Sequence, residues 1–287
     1  MQVGAAIVAS RFVVAEVPPL TLAMLRYAIG FLCLLPFALR AWRSLRPRVR
    51  GRDLAAMAAL GTGQFGILVA LLNWGLQSIA AAPAALLFSL FPLLTLLLAA
   101  GLGREHVGPR LVLGVLLSIA GVALSLWPKL QASAGGSWWG ELAVLASAAM
   151  GALCSVLYRP YLQRYPTVPV SAFAMLASVL FLAIAALGEG WPSRVVTIRP
   201  TAWAAVVFIG VSSGIGYFWW LYALKHESPT RVTVFLALNP VTAAALGWAF
   251  LGEPLPVQVL AALALIGAGL WLATRAPAPA QRQPAAG

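Results

Sequence analysis

The sequence predicts an all-α membrane protein of ten transmembrane helices, arranged as two inverted five-helix repeats. Of the 287 residues, 62% are hydrophobic and 9% are charged, and the mean hydropathy is +0.92. Soluble chains carry about 25% charged residues. A bilayer solvates such apolar surface directly, provided that the backbone groups are paired within helices or a closed barrel. The chain also divides into long apolar runs, and its second half repeats the first.

Ten apolar runs are separated by clusters of charge, proline or glycine. A helix that spans the hydrocarbon core needs about 20 apolar residues. Every connection between the runs is short except 41–53 and 189–201, so no extramembrane domain is expected. The Pro/Ala-rich tail at 276–287 is predicted to be disordered. The approximate limits of the runs are 2–15, 19–40, 54–76, 81–102, 109–128, 138–158, 169–188, 202–224, 231–251 and 257–274.

The positive charge predicts orientation rather than nucleic-acid binding. The chain has nineteen Lys+Arg and seven Asp+Glu, a net charge of +12. Placing both termini in the cytoplasm leaves only Lys129, Arg194 and Arg199 in external loops, and translocated loops avoid positive charge. We therefore expect a multi-pass protein of the cell (inner) membrane with both termini cytoplasmic. The basic block at 41–52 is interpreted as a topology determinant, with anionic lipid headgroups as the alternative partner.

An internal repeat extends over the chain at an offset of 148 residues. Residues 61–124 align with 209–272 without a gap, and eleven of the 64 pairs are identical. Five helices per unit is an odd number, so the second unit enters the membrane from the opposite side, as in many secondary transporters. The predicted repeats are 1–128 and 138–275. Residues in register include Gly66 with Gly214, Pro92 with Pro240, Glu105 with Glu253, Gly121 with Gly269, Arg11 with Arg159, and Pro18 with Pro166.

The first run is about ten residues shorter than its repeat partner. A 14-residue helix is about 21 Å long, whereas the hydrocarbon core is about 30 Å thick. We expect either a native start upstream of Met1 or a first helix truncated at its cytoplasmic half.

Three segments resemble EamA-type domains of the drug/metabolite transporter superfamily. They are FLGEPLPVQVLAALALIGAGLWLATR at 250–275, its echo LGREHVGPRLVLGVLLSIAGVALSL at 102–126, and VGAAIVASRFVVAEVPPLTLAMLRYAIGFL at 3–32, where Val3 stands in place of a common Trp. The resemblance covers nearly the whole chain. It implies a ten-helix, two-repeat carrier that exports metabolites or drugs through a central cavity lined by both repeats.

Two charged residues inside apolar runs are candidate functional groups. Arg26 matches the arginine of the family's second-helix motif. It is interpreted either as an anchor for an anionic group or as a structural residue bonded to carbonyl groups or to Glu16. Glu141 lies in the first turn of the sixth run, where a carboxylate stabilises a helix N-terminus. The alternative is a proton-coupling role, because burial raises the pKa of an acid.

Polar and aromatic residues on repeat-related helices define a predicted substrate pathway. Trp74 on the third run aligns with Tyr222 in YFWWLY on the eighth. Amphipathic rings of this kind can line a cavity, while an aromatic belt at the headgroups is the alternative. The predicted pathway consists of Arg26, Gln64, Asn73, Trp74, Tyr158, Trp219, Tyr222 and Asn239.

Pro92 and Pro240 fall within the fourth and ninth runs, where each removes a backbone hydrogen bond. They are predicted to kink these helices and to act as hinges in alternating access, with simple packing kinks as the alternative. Glu105 and Glu253 lie at helix junctions and are predicted to cap the helix that follows each.

The chemistry of an enzyme is not found in the sequence. There is no P-loop segment, the histidines have no HExxH spacing, and Cys33 and Cys154 form no CxxC pair. No cofactor, metal or nucleic acid is expected; the expected partners are a small-molecule substrate, the bilayer and, as a candidate, a second copy. A secondary transporter exporting amino acids or related amphipathic compounds is favoured, and a channel and a non-transporting scaffold are the alternatives. Proton antiport and facilitated exchange stay open.

Overall fold

The computed structural model describes residues 2–43, 49–103, 108–131, 137–227, 229–234, 236, 239–254 and 256–274. All regular structure within these ranges is helical, which confirms the predicted all-α class. The helices are α1 Gln2–Val13, α2 Pro19–Arg43, α3 Gly51–Gly61, α4 Leu68–Ser78, α5 Ala81–Phe88, α6 Phe91–Gly101, α7 Pro109–Gln131, α8 Trp139–Arg164, α9 Thr167–Ala185, α10 Trp191–Arg194, α11 Pro200–His226, α12 Pro229–Val234, α13 Asn239–Leu251 and α14 Val257–Thr274.

Six segments of the described chain are long and apolar enough to cross a bilayer. Helices α1, α7 and α14 contain shorter apolar stretches, at Val3–Val13, Val112–Trp127 and Val257–Leu272. A multi-pass membrane protein is therefore supported, whereas the number of ten spans stays a prediction. The six long segments are Pro19–Ala41, Gly51–Ser78, Ala81–Gly101, Trp139–Arg164, Thr167–Glu189 and Pro200–His226.

Pro92 and Pro240 each lie near the start of a helical segment, and their roles as kinks and hinges stay predictions. Helix α5 ends at Phe88, and α6 begins at Phe91 with Pro92 in its first turn. Similarly, α13 begins at Asn239 with Pro240 as its second residue, after α12 has ended at Val234. The first turn of a helix does not use its backbone N–H groups, so it accepts proline without loss. Ser89 and Leu90 form an irregular turn before Pro92 within the single span Ala81–Gly101, whereas part of the chain between α12 and α13 lies outside the described residues.

A π-helical segment at Thr62–Ile67 joins α3 to α4. The sequence predicts one regular helix over 54–76, so this segment is a departure from expectation. A π segment inserts an extra residue into the turn and locally widens the helix. It contains Gln64, Phe65 and Gly66, all of which are buried.

Helix crossings recur at positions that are 148 residues apart. A Cβ atom added to Gly121 would lie 2.7 Å from Ile266, and one added to Gly269 would lie 2.5 Å from Ser118. Because Ser118 aligns with Ile266 at the same offset, α7 and α14 make the same close approach twice. Glycine is required on both sides because a side chain would meet the facing helix.

The second repeated crossing involves α2 with α11 and the π segment with α9. A Cβ at Gly214 would lie 2.9 Å from Gly30, and a Cβ at Gly66 would lie 3.1 Å from Ser178. The offset aligns Gly66 with Gly214 and Gly30 with Ser178. In each case a helix of one half packs closely on a helix of the other half.

The helix bundle has two ends. We name each end by an acidic residue whose side chain links helices there. At the Glu16 end, Arg199 before α11 donates to Glu16 between α1 and α2. Glu189 accepts hydrogen bonds from the N–H groups of Leu20 and Thr21 at 3.1 and 2.8 Å. At the Asp53 end, Asp53 in α3 accepts hydrogen bonds from residues at the junction of α8 and α9.

Glu253 does not cap the helix that follows it, so that prediction was wrong. Its carboxylate oxygens lie 3.1 and 3.0 Å from the N–H of Ala81, the first residue of α5. Arg11 lies 3.8 Å from the same carboxylate and donates to the carbonyl of Leu76 at 2.7 Å. Gly252, at φ +64°, turns the chain before Glu253. Glu105, its repeat partner, lies outside the described residues.

Candidate functional site

A cavity of about 70 Å³ lies between the two halves of the chain. Ligand pockets usually hold about 300–1,000 Å³, so this cavity is contracted and has room for only a few water molecules. Its lining comes from α1, α2, the π segment, α4, α5, α6 and α11. The lining residues are Val3, Ala6, Arg26, Gln64, Leu68, Phe88, Phe91, Ser213, Gly216, Tyr217, Trp220 and Leu236.

Repeat-related positions meet in this lining. Leu68 aligns with Gly216, and Phe88 aligns with Leu236, at the offset of 148 residues. All four residues line the cavity. The cavity therefore lies where equivalent parts of the two halves face each other.

Arg26 is the charged group of the lining, and its side chain is buried with 5% exposed. Its Nε donates a hydrogen bond to the hydroxyl of Ser213 at 2.6 Å, and that hydroxyl donates to the carbonyl of Ile209 at 2.6 Å. An arginine has five N–H donors. Within the described chain, the four on Nη1 and Nη2 find no acceptor and no carboxylate lies within 4.0 Å.

Glu16, one of the alternative partners considered for Arg26, does not pair with it. Glu16 accepts from Arg199 at the Glu16 end instead. The hydrogen bond to Arg199 is the main cause that lowers the pKa of Glu16 below its usual value of 4.5. Ala174 occupies the repeat position equivalent to Arg26. A Cβ at Gly61 would lie 2.6 Å from the Ala174 carbonyl, so the backbones meet there and leave no space for a long side chain.

Gln64 lines the cavity from the π segment. Its side chain is 3% exposed, and its Oε1 has no hydrogen-bond partner among the described residues. Buried side-chain oxygens are usually bonded, and each exception calls for an explanation. π segments also occur frequently at functional sites. Gln64 therefore presents an unused acceptor in the same cavity as the unused donors of Arg26.

Aromatic rings form one wall of the cavity. Phe91 lies 5.6 Å from Phe88 and 5.9 Å from Trp220 between ring centroids, and Tyr217 stacks edge-on against Phe65 at 4.7 Å. The indole N–H of Trp220 has no acceptor among the described residues. This wall offers apolar surface together with one indole donor.

Helix α11 presents a different face to the cavity than the sequence suggested. Trp219 and Tyr222 are 62% and 45% exposed and pack against Phe218 at the periphery. The cavity instead receives Ser213, Gly216, Tyr217 and Trp220. These residues have the spacing i, i+3, i+4, i+7 of one helix face, and this pattern could have identified them.

Trp74 lines a separate groove of about 480 Å³ with Leu71, Phe181 and Glu189, among others. Its side chain is 56% exposed. The central cavity and this groove share no lining residue, so Trp74 and Arg26 are not brought together.

Asn73, Tyr158 and Asn239 are buried but do not line the central cavity. Asn73 donates to the carbonyl of Pro19 at 3.1 Å, and Tyr158 donates to the carbonyl of Met57 at 3.3 Å. Asn239 begins α13, where its backbone oxygen lies close to Gly4. Of the predicted pathway, only Arg26 and Gln64 share the cavity, and the role of the others stays a prediction.

Glu141 lies in the first turn of α8, at the Glu16 end, and is buried. The neighbouring Gly140 contacts the end of α4, because a Cβ there would lie 2.2 Å from Ser78. This position is the helix N-terminus that the sequence predicted for Glu141. Proton coupling through it stays a prediction.

The fold and the cavity together define a multi-pass α-helical membrane protein with a buried polar site between two related halves. The chain belongs to the EamA-like transporter family, which matches residues 2–127 and, a second time, residues 138–275. This confirms the family resemblance on which the sequence prediction rested.

Relatives of similar length are named as transporters. An uncharacterized transporter of Archaeoglobus fulgidus is 26% identical over 95% of this chain and 94% of its own. A probable terminal-alkyne amino-acid exporter of Streptantibioticus cattleyicolor is 32% identical over 79% of this chain and 75% of its own. A solved crystal structure is similar in fold, with a TM-score of 0.67, 24% identity and 95% of each chain covered.

Proposed function

We propose that this protein is a secondary transporter of the cell (inner) membrane that exports small metabolites, such as amino acids or related amphipathic compounds, by alternating access. Its working units are the repeats 1–128 and 138–275, each of five helices and inverted relative to the other. The relative named as a probable amino-acid exporter supports this substrate class. The observation that carries the mechanism is a pair of ion pairs at opposite ends of the molecule.

Each ion pair joins the junction of two helices in one repeat to the start of a helix in the other repeat. At the Glu16 end, Glu16 after α1 pairs with Arg199 before α11. At the Asp53 end, Arg164 at the end of α8 lies 2.9 Å from Asp53 in α3. The offset of 148 residues aligns Glu16 with Arg164 and places Gly51, the counterpart of Arg199, two residues before Asp53. We call these contacts the Glu16 latch and the Asp53 latch.

Latches at equivalent places on opposite ends suit a carrier that opens one end at a time. The cavity lies between them and is contracted while both latches are closed. Both arginines are exposed, and ion pairs with a solvated partner are weak, so these contacts can break and reform at each turnover. We propose that the irregular turn before Pro92 and the start of α13 at Pro240 act as hinges beside the cavity, since Phe91 and Leu236 border it.

We assign the Asp53 end to the cytoplasm, with both termini on that side. This orientation leaves Lys129, Arg194 and Arg199 as the external basic residues of the loops. Labelling of single cysteines with an impermeant thiol reagent in intact cells tests it. A cysteine at Ser193 should react from outside and a cysteine at Arg50 should not, and the reverse result contradicts the assignment.

An efflux screen on purified protein in proteoliposomes tests the transport function. Vesicles are loaded with a panel of amino acids and related metabolites, and release is followed with and without a pH gradient. We expect saturable release of a subset of the panel. Non-saturable release would indicate a channel, and release equal to that of protein-free vesicles for the whole panel would indicate a scaffold.

Proton coupling through Glu141 has its own test. Replacement of Glu141 by Gln removes the titratable group but keeps a polar side chain of the same size. We expect the variant to lose the dependence of transport on the pH gradient, while Glu227→Gln, at an exposed position, keeps it. Full pH-gradient dependence in Glu141→Gln excludes this role and assigns the coupling to another group, whereas native transport without any pH-gradient dependence indicates facilitated exchange.

A further inference from the structure

We propose that Arg26 binds the carboxylate of the transported substrate, and that this cavity selects small amphipathic carboxylates, including α-amino acids with apolar side chains, and rejects organic cations. The proposal rests on the transport function proposed above and names its substrate class.

The first argument is that the charge of Arg26 has no anionic partner. A guanidinium buried in a membrane protein is costly unless a counter-charge or water compensates it. Within the described chain, Arg26 contacts the Ser213 hydroxyl and lies 5.6 Å from the centroid of the Tyr27 ring, but no carboxylate pairs with it. An anionic ligand supplies the missing counter-charge, so the buried charge favours binding of an anion.

The second argument is the orientation of the guanidinium. Ser213 occupies Nε of Arg26, and the Ser213 hydroxyl hydrogen is committed to the carbonyl of Ile209. The two Nη groups are left with parallel N–H donors. This edge matches the two oxygens of a carboxylate, and a bidentate pair gives both strength and direction.

The third argument is the balance of donors and acceptors. The indole N–H of Trp220 is a further donor without a partner in the described chain, whereas Gln64 Oε1 is the acceptor left open in the lining. A ligand that satisfies these groups accepts several hydrogen bonds and donates at least one. An α-ammonium carboxylate has this pattern, with its ammonium group facing Gln64.

The fourth argument is the remainder of the lining. Phe88, Phe91 and Leu68 are apolar, and together with Tyr217 they provide a surface for an aliphatic or aromatic side chain. No acidic residue belongs to this lining in the described ranges. An amine without a carboxylate would be repelled by Arg26 with no negative charge to offset this repulsion, so we expect organic cations to be excluded.

Matched ligands test this selectivity on the full-length protein in lipid nanodiscs. The probes are leucine, phenylalanine and 4-methylpentanoate, each with its amide, together with isoamylamine, phenethylamine and phenyl phosphate. Binding is measured by calorimetry and by the shift in unfolding temperature. We expect at least one carboxylate to bind about tenfold or more tightly than its amide, and the amines not to bind.

Several outcomes would overturn the proposal. These are equal binding of an amide and its acid, binding of an amine, tighter binding of phenyl phosphate than of every carboxylate, or no binding of any carboxylate. If the efflux screen finds saturable transport of cations only, the transporter function holds and this substrate class fails. If it finds no transport at all, the function itself fails.

Variants of Arg26 separate binding from structure. Arg26→Gln should lose carboxylate binding by about tenfold or more, while the unfolding temperature stays the same or rises, because a buried uncompensated charge is removed. Arg26→Lys should recover part of the affinity, since it keeps the charge without the planar fork. Arg40→Gln, exposed on the same helix, should bind as the native protein does.

Ser213→Ala provides a second test that leaves the charge of Arg26 in place. It removes the acceptor that fixes Nε, so we expect weaker carboxylate binding and an increased KM with little change in kcat. Unchanged affinity in both Arg26→Gln and Ser213→Ala would overturn the assignment, as would lower unfolding temperature without loss of affinity.

Discussion

Arg164 Nη1 lies 2.9 Å from Asp53 Oδ2, at the end of the molecule opposite the ion pair of Glu16 and Arg199. The position of Arg164 in the second half is that of Glu16 in the first. The same helix junction therefore carries a base at one end and an acid at the other, and each faces a residue of opposite charge. Both halves therefore have an ion pair at this junction, and the charges of the pair are exchanged between the halves.

Breaking one latch should open the end at which it lies. In Arg164→Glu the new carboxylate repels Asp53, and in Glu16→Arg the new guanidinium repels Arg199. The readout is the reaction of a cysteine at the cavity position Gly216 with an impermeant thiol reagent, in a Cys33→Ala, Cys154→Ala background. We expect Arg164→Glu to increase reaction from the Asp53 side and Glu16→Arg to increase it from the Glu16 side.

The paired charge exchanges serve as controls for the latches. Arg164→Asp with Asp53→Arg, and Glu16→Arg with Arg199→Glu, should each return the reaction rates toward those of the native latch. If both single variants shift the reaction in the same direction, the latches do not control opposite ends.

The Glu16 latch should be insensitive to pH in the neutral range. Its hydrogen bond with Arg199 lowers the pKa of Glu16 below the usual 4.5. A lowered pKa means that the latch contributes to stability above the usual value and is lost only as the pH falls through the lowered one. Between about pH 6 and pH 8, Glu16→Gln should change the transport rate without moving the midpoint of its pH profile. A midpoint that moves would show that Glu16 titrates in this range.

Gly269 and Gly267 should respond in opposite ways to alanine. A Cβ at Gly269 would lie 2.5 Å from Ser118 Oγ and 2.6 Å from the Gly114 carbonyl, whereas one at Gly267 meets nothing within 4 Å. We expect Gly269→Ala to lower the free energy of unfolding in detergent by about 1–3 kcal/mol. Gly267→Ala, on the same helix, should raise it by about 0.5–1 kcal/mol. Equal effects would contradict the close crossing of α7 and α14.

Pro92→Ala should affect transport more than stability. Because Pro92 lies in the first turn of α6, its removal should change the free energy of unfolding by less than about 1 kcal/mol. The restored N–H lets α5 and α6 join into one helix, so we expect slower transport. Pro36→Ala is the matched control, since Pro36 is inside α2 and an interior proline costs about 3 kcal/mol. If Pro92→Ala raises the free energy of unfolding as much as Pro36→Ala does, Pro92 behaves as an interior proline and not as a first-turn residue of α6.

The helices were predictable because their apolar runs end at charged or helix-breaking residues. The limits of 257–274 and the start of 19–40 agree with α14 and α2. The π segment was not predictable, because TGQFGI lies within an apolar run of ordinary helical length and has no sequence signal specific to a π turn. The hydrogen bonds by which Glu253 caps α5 were also not predictable, because they join residues 172 positions apart.

The candidate site was only partly predictable for a related reason. Arg26 and Gln64 stand out because polar residues inside apolar runs are rare. The orientation of α11 was not predictable, because the YFWWLY segment at 217–222 places aromatic residues around the helix. The sequence prediction therefore included Trp219 and Tyr222, whereas Trp220 lines the cavity. Their different locations follow from a rotation of about 100° between successive residues of a helix.

Arg26 has no second copy. Two identical halves around a symmetric cavity would hold a substrate equally well in either of two orientations. Here Ala174 occupies the equivalent position, and its backbone meets Gly61. Under the proposed carrier mechanism, a carboxylate bound to Arg26 has a single direction, so the substrate would leave one end of the protein head first and the other end tail first. The substrate presents a different one of its ends to each opening of the protein, so release to the inside and release to the outside need not have equal rates.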